Sequence, residues 1–252
     1  MSRLKFSARA AAFHFIVSLT IAVLAYFFIF LVWYPGAYSE LSGGRELFVL
    51  LVSVDVVCGP LLTLVVFSPE KSRSHLVRDL VSIILIQLGA LGYGLHAIYQ
   101  ARPIVLAFEG NRFRVVSLSD VPDDRLGEAN KYTRLGGPKL MGVKLAVPGD
   151  ADYLESIQMS LAGLNPALRP ERWVSYDSQR SQVIKAAAPV ARLMSRYPES
   201  KRKLISMIEA EKLNSQEVGY LPLSSYRYDT WVVLVSLKDA NPLGFLPLNG
   251  WF

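Results

Sequence analysis

Few residues in this chain have the type and spacing to do chemistry, and the most unusual of them lie in apolar surroundings. The stretch VDVVCGPLLTLVVF, residues 54–67, holds Asp55 and, four and five positions on, Gly59 and Pro60. A carboxylate in a long apolar helix must face other protein groups, because a centred Asp costs about 2.5–3.5 kcal/mol to insert into lipid. Proline lacks the N–H of the helix ladder and disfavours α geometry at the preceding residue, so a kink or break is expected at Gly59-Pro60. The three histidines, His14, His75 and His96, and the single cysteine, Cys58, all precede residue 101. That removes histidine acid–base catalysis, thiol nucleophiles and ordinary zinc ligation from the remainder of the chain. No G-x-S-x-G, P-loop or G-x-G-x-x-G pattern occurs. The acidic pairs Asp123-Asp124 and Asp150/Asp152 fit turns and helix caps, and no cofactor or metal is called for. An enzyme is not expected.

These residues must be positioned by three apolar runs, at 11–34, 46–67 and 80–100. Each has about 20 residues, enough to cross roughly 30 Å of hydrocarbon as a helix. The first run is too long, and too bulky at Trp33 and Tyr34, for a cleaved signal peptide, so an uncleaved anchor is expected. Arg3, Lys5 and Arg9 precede span one, and Lys71, Arg73 and Arg78 lie between spans two and three. Only Arg45 lies between spans one and two. The positive-inside rule puts the N-terminus in the cytoplasm and everything after span three on the opposite face. Trp33, Tyr34, Tyr93 and Tyr99 fit an aromatic belt there, and His14 and His96 fit span ends.

Asp55 falls nine residues into span two, near midplane. Gln87 and Tyr93 of span three are candidate partners inside the bundle, and a visiting membrane helix is the alternative. The small residues Gly89, Ala90, Gly92 and Gly94 of LGALGYGL form a notch, as Gly59 does beside Pro60. These notches serve either packing within the bundle or docking of another helix.

The chain thus divides into a transmembrane anchor, 1–100, and an exported domain, 101–252. Seven of the 27 Lys and Arg and five of the 21 Asp and Glu precede residue 101, leaving 20 basic against 16 acidic residues after it. The basic residues are dispersed, and Lys201-Arg202-Lys203 fits a solvated helix face rather than nucleic-acid binding. A domain of this size needs no disulfide to hold a core, and lack of one leans towards a bacterial inner membrane with a periplasmic domain. PIVLAF, the EGN turn and RFRVVSL predict a β-hairpin. Residues 120–137 read as loop or short helix, and LMGVKLAV as a strand. ADYLESIQMSLAGL predicts a helix with Leu154, Ile157, Leu161 and Leu164 on one face, Asp152 and Glu155 at capping-box spacing, and Gly163 as its stop. Pro189 should kink SQVIKAAAPVARLMSRYP or start a new helix. ESKRKLISMIEAEKL should bury Leu204, Ile205 and Ile208. TWVVLVSLK predicts a central strand with GFLPL as its partner. The prolines of GYLPL and GFLPL belong at strand edges or bulges. The fold class is a three-helix transmembrane anchor followed by an α+β domain.

FHFIVSL (13–19), LVWYPGAY (31–38), VDVVCGPLLTLVVF (54–67), QLGALGYGLHAIYQARP (87–103), FRVV (113–116) and the terminal GFLPLNGW together resemble the type IV pilin accessory proteins of the TfpX/TfpZ kind. The resemblance covers the anchor, the first hairpin and the C-terminus, and finds no match through 120–215. It implies a non-enzymatic, chaperone-like factor of the bacterial inner membrane that binds a type IV major pilin and promotes its assembly into pili. Membrane lipids are the other partner. On that basis Asp55, Gly59, Pro60, Gln87, Gly89 and Gly92 are candidates for contact with the pilin's membrane helix, and Trp231 and Phe245 for its head. A membrane-tethered sensor or regulatory subunit is the alternative, and the short cytoplasmic segments, about ten residues each, argue against it. Oligomeric state is left open.

Overall fold

A computed structural model describes residues 3–68, 70–133 and 136–252. Pro69 of the second loop, and Arg134 and Leu135 of the polar 120–137 segment, lie outside the described residues. The chain divides into two compact units, Met1–Arg102 and Pro103–Phe252.

The first unit is helical. Helix α1 (Arg3–Phe28) runs into a π-helical stretch, Ile29–Trp33. A short turn of helix, α2 (Tyr38–Leu41), leads to α3 (Gly44–Val52), the π-helical Ser53–Cys58 and α4 (Gly59–Val66). Helix α5 (Arg73–Ala101) follows, capped by Ser72. Three helical spans are long and apolar enough to cross a membrane: Lys5–Trp33, Gly44–Val66 and Arg73–Ala101. Each starts before the corresponding apolar run, because capping and helix propensity, not hydrophobicity, decide where a helix begins.

Of the kink or break expected at Gly59-Pro60, the break does not occur. Gly59 keeps right-handed helical angles (φ −61°, ψ −56°), and the span continues through it. The π-helical turn just upstream holds the irregularity instead; its wider i→i+5 pairing reorganises the ladder next to the missing proline N–H.

Helix α1 packs along α4, and α3 along α5. An apolar cluster of Ile29, Trp33, Tyr34, Leu51 and Ile98 ties the spans together at one end. There the Tyr34 hydroxyl donates to the Ile98 carbonyl at 2.7 Å. The aromatic belt read from the sequence is therefore partly internal. Trp33 is buried against the Tyr99 ring, 5.5 Å between centroids, and only Tyr93 of the four is widely exposed.

The second unit is a mixed sheet with helices. Its strands are β1 (Pro103–Phe108), β2 (Phe113–Ser117), β3 (Lys139–Val143), β4 (Trp173–Ser175), β5 (Ala188–Pro189), β6 (Val218–Ser224), β7 (Trp231–Ser236) and β8 (Pro242–Leu246). They lie in the order β4-β3-β1-β2-β6-β7-β8, with β5 also on β6. β1 and β2 form the antiparallel hairpin across a turn at Gly110, whose φ of +79° suits glycine. β1 runs parallel to β3, and β2 to β6. β7 lies between β6 and β8 and is buried along its whole length. Pro222 sits inside β6, not at an end. On that edge β6 pairs with β5 through Gly219 and Tyr220 and with β2 through Leu223 and Ser224, and Pro222 falls in the gap between.

The helices are α6 (Leu126–Thr133), α7 (Tyr153–Leu161), α8 (Arg180–Ala186), α9 (Val190–Arg196) and α10 (Lys201–Ala210). Pro189 separates α8 from α9 as a two-residue strand, so a new helix starts after it. The core gathers Val190, Leu193, Leu204 and Ile208 of α9 and α10 against Tyr220, Val232 and Leu234 of the sheet.

Helix α7 departs from the expectation. Its apolar face is not buried: Leu154 is 72%, Ile157 40% and Leu161 83% exposed, whereas Ser156 is buried. The capping box is also absent, since Asp152 makes no side-chain cap and its carboxylate pairs with Arg172. Gly163, at φ +92°, does end the helix. Truncating Leu204→Ala should destabilise this unit by about 2–5 kcal/mol, whereas Leu161→Ser should change stability by less than about 0.5 kcal/mol. Urea denaturation midpoints of the full chain in detergent check the contrast, and equal shifts would place α7's apolar face in the core.

Candidate functional site in the helical unit

A cavity of about 450 Å³ opens between α1, the second span and α5. Its walls are apolar residues such as Phe13, Val17, Leu51 and Leu88, interrupted by His14, Ser18, Asp55, Thr63 and Gln87. Helical periodicity positions these groups. His14 and Ser18 are one turn apart on α1, and Asp55 is two turns before Thr63 across the π-helical stretch.

The polar groups form two clusters. His14 Nδ1 lies 2.7 Å from Thr63 Oγ1, and the Thr63 hydroxyl donates to the Gly59 carbonyl at 3.1 Å. In the second cluster the Gln87 amide donates to the main-chain carbonyl of Asp55 at 3.1 Å. That bond satisfies a backbone group within the π-helical stretch and leaves the carboxylate out. Asp55 Oδ1 is buried without a hydrogen-bond partner among the described residues. Burying such an oxygen without a donor costs about 1–3 kcal/mol, more when it is charged.

Of the residues singled out from the sequence, Asp55, Gly59, Pro60 and Gln87 come together. A Cβ on Gly59 would stand 2.0 Å from Gln87 Nε2, so Gly59 is packed against α5 within the unit. Gly94 plays a similar part against Leu51, 2.4 Å from a built Cβ. Gly89 and Gly92 meet nothing within 4 Å and leave an unfilled notch. Tyr93 is not a partner of Asp55; it is 77% exposed. In the other unit Trp231 is 4% exposed within β7 and Phe245 half-buried on β8, opposite Val233, so neither ring offers a partner much free surface. His14 and Thr63 are the site residues that sequence reasoning did not bring together. They stand 49 positions apart, and nothing but the antiparallel packing of α1 on α4 joins them.

Apolar helices of membrane-crossing length around a partly polar cavity, followed by a mixed-sheet domain, define a two-part protein whose helical unit is consistent with membrane association. Residues 2–43 match the family described as fimbrial assembly protein FimB. The chain is 35% identical over 243 residues to the fimbrial assembly protein of serogroup I from Dichelobacter nodosus, spanning 95% of this chain and 94% of that protein. It is 33% identical, over the same shares, to the serogroup E1 protein of the same organism. To the serogroup C1 and C2 protein it is 42% identical over 127 residues, 50% of this chain and 97% of that one. The chain belongs to the fimbrial assembly protein family. No solved structure matches it.

Gly59→Ala should displace the Gln87 amide and expose the Asp55 carbonyl, lowering the thermal midpoint of the detergent-solubilised chain. Gly59→Ala with Gln87→Ala should recover part of that loss, because the clash is with the far end of one side chain. A double variant no better than the single one would show that the Gly59 contact is not what matters.

Proposed function

We propose that this protein is a membrane-anchored, non-enzymatic accessory factor of type IV pilus assembly, of the TfpX/TfpZ kind. It binds a major pilin in the bacterial inner membrane and acts as a chaperone for its incorporation. The observation that carries this is the nearly full-length relationship to fimbrial assembly proteins, which spans both units. A function residing in one unit alone would leave the other free to diverge.

The cavity supports the membrane half of the reading. An apolar groove with one unanswered carboxyl oxygen suits a partner helix that is apolar along its length and brings one hydrogen-bond donor at that depth. The unfilled notch at Gly89 and Gly92 allows a second helix to approach α5 closely. The distribution of Lys and Arg supports a cytoplasmic N-terminus and a periplasmic mixed-sheet domain. The sheet domain then stands on the side where a pilin head is folded.

A photo-crosslinking residue at Val52, on the cavity wall, is expected to trap a pilin in living cells, with the adduct identified by mass spectrometry. Asp55→Leu should lower surface piliation several-fold while the protein still accumulates, and Asp55→Asn, which keeps an acceptor oxygen, should retain more. Recovery of no pilin, together with wild-type piliation in Asp55→Leu, would falsify the assignment.

A further inference from the structure

A second cavity, about 500 Å³, lies wholly within the sheet domain. It is bounded by α7, by the strap of residues 165–172 that precedes β4, and by the segment after β3. At its wall stands Arg169, a guanidinium 2% exposed. Its Nη2 donates to Ser156 Oγ at 2.8 Å, its Nη1 lies 3.3 Å from the Met159 sulfur, and its Nε has no hydrogen-bond partner among the described residues. No carboxylate pairs with it among the described residues. The other arginines here are answered: Arg172 by Asp152, and Arg125 by Glu171. The strap itself is firmly held, through Ala167 N–H donating to Glu109 at 3.0 Å and Trp173 Nε1 donating to the Ala167 carbonyl at 2.8 Å. Lys144 is exposed at the rim, and no hydrogen bond or ion pair of its ammonium occurs among the described residues.

A buried cation without a counter-charge is costly, since its desolvation is not offset by Coulomb attraction. Burial, with Arg172 and Arg125 nearby, pulls the Arg169 pKa down from its ordinary value, against the opposing pull of Glu171 and Asp152. An arginine kept only for packing would have its fork met by oxygens; this one meets a hydroxyl and a thioether, a weak acceptor that a flexible Met side chain can withdraw. Planar guanidinium and planar carboxylate match as a fork. The wall also carries Asp150, Asp152, Glu155 and Glu171, which repel a phosphate dianion more strongly than a carboxylate.

We propose that this cavity is a binding site for a carboxylate group, held by Arg169 with Lys144 at the rim. The cavity is much larger than a carboxylate alone, which leaves room for the rest of the molecule that carries it. The site is separate from the cavity of the helical unit and stands without the pilin assignment.

The test is isothermal titration of the purified full chain in detergent with the capped peptide acetyl-Leu-Glu-Leu-amide, its Gln counterpart, acetate and inorganic phosphate at constant ionic strength. The Glu peptide should bind about tenfold or more tightly than the Gln peptide, the scale of a charge-assisted contact, and Arg169→Met should abolish the difference. Lys144→Gln, at an exposed position that folding does not need, should weaken binding several-fold without moving the thermal midpoint. That variant keeps the test valid if Arg169→Met fails to fold. Acetate binding as tightly as the peptide supports the carboxylate site and assigns it to a free small acid. Equal binding of the Glu and Gln peptides, phosphate binding more tightly than acetate, or full binding by a folded Arg169→Met variant each overturns the proposal.

Discussion

A carboxylate halfway along an apolar helix constrains everything around it. The second long helical stretch turns Asp55 towards the other helices, and the wall it faces also carries His14, Ser18, Thr63 and Gln87. The backbone accommodates this locally. A π-helical stretch from Ser53 to Cys58 replaces regular helix, and Gln87 reaches across from α5 to satisfy the Asp55 carbonyl. Gly59 has no side chain because that amide occupies the space a Cβ would need. Glycine and glutamine are thus one arrangement: Gly59 leaves the room in which Gln87 reaches the backbone of residue 55, while the Asp55 carboxylate stays outside it.

The two units solve the burial problem differently. In the helical unit, large apolar residues such as Leu31, Val65 and Leu85 are exposed, whereas His14, Ser18, Asp55, Thr63 and Gln87 line the internal cavity. Such a surface is stable where the surroundings are as apolar as the side chains. The sheet domain follows the ordinary rule, with β7 and the α9–α10 face forming a dry core. Its exception is α7, where a leucine-rich face is exposed while a serine is buried beneath an arginine. Arg169 of the strap packs on the serine side of that helix, away from the exposed leucines.

Much was legible from the chain alone. Length and apolarity marked three helices able to cross a membrane, because such a helix needs about 20 apolar residues. The hairpin at Glu109–Asn111, the α8–α9 division at Pro189 and the stop at Gly163 followed from local chemistry, since turn and proline geometry act within a few residues. Asp55, Gly59, Pro60 and Gln87 stood out because polar or helix-breaking residues are expensive where they occur. Inference from periodicity to burial held for Leu204 and Ile208 of α10 but failed for α7. Leu154, Ile157 and Leu161 align on one face of α7, yet alignment does not say whether that face meets the core.

The sequence by itself determined which segments are helices or strands and which residues are out of place in them, because those depend on short-range sterics, hydrogen bonding and hydrophobic run length. Tertiary structure alone decided which distant residues meet: His14 with Thr63, Gln87 with the Asp55 backbone and not its carboxylate, and Arg169 with a serine and a methionine instead of an acid. The physical reason is that such pairings depend on the relative rotation and depth of whole elements. A rotation of one residue, about 100° on a helix, turns a core face into a free surface.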